Sequence, residues 1–237
     1  MKVVFAGPSI HGLEPVFGDV QVRAPAEQGD LERVVIEGAT AIGIIDGHYQ
    51  QARAIWHKEI LFALASGVTM LGAASMGALR AAECQAFGMI PVGEIAWAYC
   101  NGELVDDGDV ALITAPAELN FAPLTEPMVD VAATLAALTL FGLIDTAEAQ
   151  SIENTARRIH FADRSIEAIF QAVERRKDAA TIQHLYERHH VNAKANDAQE
   201  LIDLLRSLPD GRRECPRWEF LSSPFWRNRP PLKARLS

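Results

Sequence analysis

The chain has 237 residues, 49% of them hydrophobic and 22% charged, with a net charge of −9. This composition suits a soluble globular protein of one large domain, or one domain plus an appendage, and the acidic balance argues against nonspecific nucleic-acid binding. Three widely separated cysteines, Cys84, Cys100 and Cys215, predict neither a disulfide framework nor a zinc site; Cys84 and Cys100 read as core residues in a reduced, cytoplasmic setting.

Met1-Lys2 leads straight into strand-like sequence, so no signal peptide is expected. Val3–Ala6, Ala41–Ile45 and Val68–Leu71 are short, continuous and apolar, as buried parallel strands are. Val20–Val22 and Val110–Thr114 read as edge strands. Helical periodicity lies between them at 29–38, 50–66, 77–87 and 93–101. The β-α alternation predicts an α/β fold, a small mostly parallel sheet with flanking helices in the N-terminal half. Ile60–Leu79 is uncharged and long enough to span a bilayer. Its regularly spaced glycines and strand-like middle favour a buried helix–strand–helix crossover, and no membrane contact is expected.

From 129 onward strands stop. Helices are expected at Val131–Ile144, Ala147–Phe161, Ser165–Lys177, Ala179–His190 and Asp197–Leu208, giving an all-helical C-terminal half. The domain reading is therefore an α/β core over 1–128, a helical region over 129–208, and a basic, aromatic, Pro-containing tail over 209–237. Residues 206–237 hold eight Arg/Lys against three Asp/Glu, a local +5 that leaves −14 on the rest. With Trp218, Phe220, Phe225, Trp226, Pro230 and Pro231, this tail reads as a strap over the acidic body rather than a docking arm.

Ligands of such sheets sit at the carboxyl ends of the strands. There the sequence places Gly7-Pro8-Ser9, Asp46-Gly47-His48 and Ser75-Met76-Gly77. Ala73-x-Ser75-x-Gly77 is a variant of the nucleophile elbow, in which small residues let the chain turn sharply under an exposed serine. The Met76 and Gly77 N–H groups would then face a developing oxyanion. A tight turn built for packing explains the same residues. A serine needs a base, and Lys58 is one candidate. On a helix it has Ile55, Leu61 and Phe62 as neighbours, and burial would lower its pKa toward a usable range. Its plainer alternatives are a snorkelling lysine or a partner of Asp46 or Glu59. His57 is the rival base.

Ser9 is a second hydroxyl for the crevice, or simply part of the turn. Asp46 is a partner for Lys58 or for a substrate amide, or an N-cap. Arg80 is a cation for an anionic substrate, or a surface partner of Glu83. Asp106, Asp107 and Asp109 resemble half of a calcium loop but lack the closing Glu, Ala117 standing there, so they read as a solvated turn or partner contact. His189-His190 lacks a third ligand and reads as surface.

The blocks Ile44-Ile45-Asp46-Gly47, Trp56-His57-Lys58-Glu59-Ile60 and Gly72-Ala-Ala-Ser75-Met-Gly77-Ala-Leu-Arg80-Ala-Ala-Glu83, then Gly88-Met89 and Val92-Gly93, resemble the TfuA family. So do Phe5-x-Gly7-Pro8-Ser9, Gly29-Asp30, Asp106-Asp107-x-Asp109-Val110-Ala111 and Pro123-Leu-Thr125-Glu126-Pro127, all in order. The resemblance covers roughly residues 3 to 135 and is absent beyond about 145. It implies a partner of YcaO enzymes, which activate a peptide backbone amide with ATP so that sulfur replaces oxygen. It also implies handling of a thiocarboxylated, ubiquitin-like sulfur-carrier protein at a hydrolase-like Ser-Lys site, here Ser75 and Lys58. No cofactor or metal is expected. Hydrolysis of the thiocarboxylate to release sulfide is thus the expected activity. The alternatives are a non-catalytic docking module for YcaO and carrier, and a generic hydrolase of small esters.

Overall fold

The computed structural model describes residues 1–47, 53–173 and 179–228, with Phe225 in backbone only. His48, Pro230 and Pro231, the first residues of the helix expected at 50–66 and the last of that expected at 165–177 lie outside them. Strands β1 (Lys2–Phe5), β2 (Val20–Arg23), β3 (Ala41–Ile44), β4 (Thr69–Gly72) and β5 (Ile90–Pro91) form one sheet in the order β2-β1-β3-β4-β5. Every pairing is parallel. The helices are α1 (Asp30–Ile36), α2 (His57–Ala65), α3 (Met76–Cys84), α4 (Gly93–Asn101), α5 (Met128–Leu140), α6 (Thr146–Arg158), α7 (Ile166–Ala172), α8 (Ala179–Arg188), α9 (Ala193–Ser207) and α10 (Pro224–Arg227). The expected architecture is thereby met: a parallel sheet with helices first, then a helical region.

Two expectations of detail fail. Val110–Thr114 does not join the sheet; it touches another strand-like segment only through a bridge from Thr114 to Pro123. The sheet's last strand is instead Ile90–Pro91, whose two residues pair with Leu71 and Gly72. Proline has no N–H to give a ladder, and it is tolerated here at the sheet's edge.

Alternation along the strands divides the core. Val3, Phe5, Ile42, Ile44 and Met70 pack with residues of α1 and α2. Val4, Ala41, Ile45 and Leu71 face the other way and pack with Ala198, Leu201, Ile202 and Leu205 of α9. The link between β1 and β2 contains only a three-residue 3-10 turn, Pro8–Ile10, so it cannot cover that second face. Helix α9, far along the chain, does so, and the segment 129–208 is not wholly separate from the sheet. Helices α5 to α8 enclose their own core around Leu135, Ile152, Ile169 and Tyr186. Among the described residues no helix is long and apolar enough to cross a membrane.

The tail is a strap. Arg212 donates to the carbonyls of Val35 (2.7 Å) and Ala39 (3.1 Å), placing a cation at the carboxyl end of α1. Trp218 Nε1 donates to Phe87 O at 3.2 Å, and the Phe220 and Trp226 rings stack about Phe62 with centroids 5.8 and 5.4 Å away.

Candidate active site

The order β2-β1-β3-β4-β5 reverses direction between β1 and β3, and a crevice opens outside the carboxyl ends of strands at such a switch point. Here it is a cleft of about 650 Å³. Pro8 and Pro25 line one side, Asp46, Gly47, Ser75 and Met76 the floor, and Val110–Glu118 with Phe121 the opposite wall. That wall is a loop closed on itself, Ala115 N–H donating to Ala122 O and Leu124 N–H to Ile113 O, both at 2.8 Å.

Ser75 stands at an elbow between β4 and α3. Ala74 before it has φ of 63°, the left-handed region that residues with a Cβ seldom adopt. Ser75 N–H turns back to Ala73 O at 2.7 Å. Glycine is required on either side by close approach. A Cβ on Gly77 would stand 1.7 Å from Ile44 O, and one on Gly72 would stand 2.1 Å from Gly77 O. The α3 N-terminus is thus pressed directly onto β3 and β4, and Ser75 is lifted over the cleft floor. The serine side chain makes no capping bond to its own helix.

The sequence-predicted site residues divide into three groups. Ser75 and Met76 lie in the cleft as expected. Gly77 is excluded as an oxyanion donor, because its N–H is taken by Ile45 O at 3.2 Å; Met76 retains the N–H next to the serine. Asp46 is not a partner of Lys58. Its carboxylate accepts from Gly7 N–H (2.8 Å), Ser9 N–H (3.0 Å) and the Ser9 hydroxyl (2.7 Å). Ser9 is consequently buried and faces Asp46 rather than a substrate. Together they lock the loop after β1 to the end of β3.

His57, Lys58 and Arg80 form the third group, along a separate shallow depression with Arg53 and Trp56. Lys58 Nζ donates to Leu221 O at 2.7 Å and lies 4.9 Å from the Phe220 ring centre. No hydrogen bond joins it to Ser75. Arg80 pairs with Glu83 one turn on, and His57 Nε2 meets the same Glu83 oxygen at 2.8 Å. Burial pushes the Glu83 carboxyl up, but the hydrogen bonds and charges of His57 and Arg80 outweigh it and hold it down at about 2. Arg80 Nε is buried without a partner.

Sequence reasoning missed Lys194, which lines the cleft. It is 2% exposed, and its Nζ donates to Val110 O at 2.8 Å. Burial pushes this amine below the ordinary lysine range, against the opposing charges of Asp46 and Asp130. The signal was present: Lys194 shares a helical stripe with Ala198, Leu201 and Leu205, where a lysine has no apolar reason to be.

Two other expectations are answered by contacts within the protein, although Asp107 of the acidic turn also lines the cleft. Asp106 caps Gly108 N–H at 2.8 Å and Asp109 pairs with Arg157, so the acidic turn is held by the protein itself. His190 is exposed, as expected, and in addition it bonds Glu126, which also accepts from Tyr186 at 3.0 Å. Among the described residues no group of three His, Cys, Asp or Glu could hold a metal ion.

No curated protein matches the chain. The sequence profile of the family described as "TfuA-like protein" matches residues 46–165, from Asp46 through the elbow and into the helical region, and leaves Ser9 and Lys194 outside. It spans just over half of the 237 residues, and the chain belongs to the TfuA-like proteins.

Proposed function

We propose that this TfuA-like protein hydrolyses the C-terminal thiocarboxylate of a ubiquitin-like sulfur-carrier protein and supplies the sulfide to a YcaO enzyme that thioamidates a peptide backbone. The observation that carries this reading is the Ser75 hydroxyl, raised on a strained elbow above a cleft at the sheet's switch point. Such placement is how a serine is presented for covalent catalysis. The proline- and alanine-lined walls suit an extended tail of small residues.

In the reaction, Ser75 Oγ bonds to the thiocarboxylate carbon and gives its proton to a base. The proton passes on to sulfur, the C–S bond breaks, and hydrosulfide leaves with an acyl-serine behind. The Met76 N–H supports the oxygen as charge builds on it. Water then cleaves the ester to carboxylate, restoring the serine and releasing one proton. No oxidant or reductant is consumed.

The competing reading is a docking module that grips carrier and YcaO without chemistry, and the engagement of Lys58 by the tail favours it. Mass analysis of a thiocarboxylated carrier decides between them. The hydrolase exchanges sulfur for oxygen with the wild-type protein and not with Ser75→Ala; the docking module leaves the carrier unchanged with both.

A further inference from the structure

We propose that Lys194, on the first turn of α9, is the base that takes the Ser75 proton, in the place that sequence resemblance gives to Lys58. The inference rests on Ser75 acting as a nucleophile. Lys194 and Ser75 border one cleft, whereas Lys58 borders another depression and spends its amine on Leu221.

Geometry prepares Lys194 for the task. Its backbone N–H is tied to Asp130 Oδ1 at 3.2 Å, and its Nζ to Val110 O at 2.8 Å. The bond to Val110 O restrains the amine at the edge of the cleft that Ser75 also lines, where a neutral amine is a general base for the serine proton. The groups facing it are Asp46 beyond β3 and Asp130 on α5, with Glu126 and His190 behind Asp130. The two aspartates favour the charged amine. Burial opposes them and prevails, so the free base is accessible at lower pH than in an exposed lysine.

The chemistry balances without another reactant. The amine accepts the serine proton as the Oγ–C bond forms, and the ammonium returns it to the departing sulfur. In the second half it takes a proton from the attacking water and returns one to Ser75. Arginine cannot do this near neutrality.

Serine labelling by a fluorophosphonate tests the base independently of the natural substrate. In the wild-type protein, labelling mapped to Ser75 should rise with pH to a plateau reached below about 10.4, the usual lysine value. Lys194→Met, which keeps the buried stem and loses the amine, should label at least about a hundredfold more slowly and lose the pH step. Lys194→Arg should not recover it. Parental labelling in a folded Lys194→Met overturns the proposal, as does loss of labelling in Lys58→Met with Lys194→Met unaffected. Should both Lys194 variants fail to fold, a wild-type profile without the step overturns it equally. Labelling with the step, but no sulfide from a thiocarboxylated carrier, sustains Lys194 and sinks the substrate reading alone.

Discussion

Lys58 donates its amine to the backbone carbonyl of Leu221, 163 positions further along the chain. The bond fastens the C-terminal strap to the N-terminal turn of α2, and beside it Phe62 is covered by Phe220 and Trp226. Lys58→Ala should loosen the strap at a cost of about 1 kcal/mol, seen as faster proteolysis between residues 213 and 227. Unchanged cleavage would separate Lys58 from the anchoring of the tail.

Deleting residues 210–237 should do much more. It uncovers Phe62 and Phe87 and strips the Arg212 guanidinium from the carbonyls of Val35 and Ala39. The expected outcome is aggregation on size-exclusion chromatography. A stable monomeric truncation would mean that these aromatics serve a partner rather than the fold.

Ser75→Ala removes one oxygen from a side chain with no cap to lose, so melting should be unaffected. Sulfide release should fall by several orders of magnitude, as when a nucleophile is deleted from a serine site. Parental turnover by this variant, followed with a sulfide probe, would remove Ser75 from the reaction.

Gly77→Ala should instead destabilise the fold. The added methyl meets Ile44 O, a backbone atom that cannot rotate away. Overpacking of this kind costs about 3 kcal/mol or more, or roughly a 6–12 °C fall in melting temperature for a chain of this size. Gly142→Ala is a useful contrast. There the added methyl meets nothing and only the positive φ of 67° resists it, so the loss should stay near about 1 kcal/mol. Equal melting of the two variants would show that α3 does not press on β3.

Glu59 gives the protein a pH dependence of definite sign. Burial pushes its carboxyl from 4.5 to about 7, although Gly29 and Trp56 N–H groups pull it down. Between those values the folded state holds a proton that the unfolded chain has released, so stability falls as pH rises through the window. The full effect is on the order of 3 kcal/mol. Asp130 and Asp197, each raised to about 6 by burial, act in the same direction. Urea midpoints of Glu59→Gln should decline less between pH 4.5 and 7 than those of the parent. A parallel decline would show that Glu59 ionises normally.

The fold was legible where one physical demand dominates. Continuous apolar runs at 3–6, 41–45 and 68–71 can only be buried strands, and the elbow around Ser75 announced itself by small residues in a row. Pairs across the chain were not legible. Asp46 is bound to groups 37 and 39 positions away, and nothing local separates that duty from an N-cap. Lys58 misled because its apolar neighbours promised burial beside the serine, whereas Ile55 joins the core under the sheet and Phe62 packs against Phe220 and Trp226 of the tail. Val110–Thr114 has strand composition, but its pairing is with its own loop, through Thr114 and Pro123, and it lines the cleft.

The dependence of the sheet on α9 has a consequence for synthesis. A Cβ on Gly43 would meet Leu201 at 2.5 Å, so helix and strand fit as one surface, yet 158 positions separate the two residues. A nascent chain emerging from the ribosome N-terminus first can pair β1 to β5 while one sheet face is still bare. Such a species exposes Val4, Ile45 and Leu71, and it holds Ser75 in place with Lys194 not yet made. Docking of α9 therefore does two things at once: it covers that sheet face and brings Lys194 to the edge of the cleft.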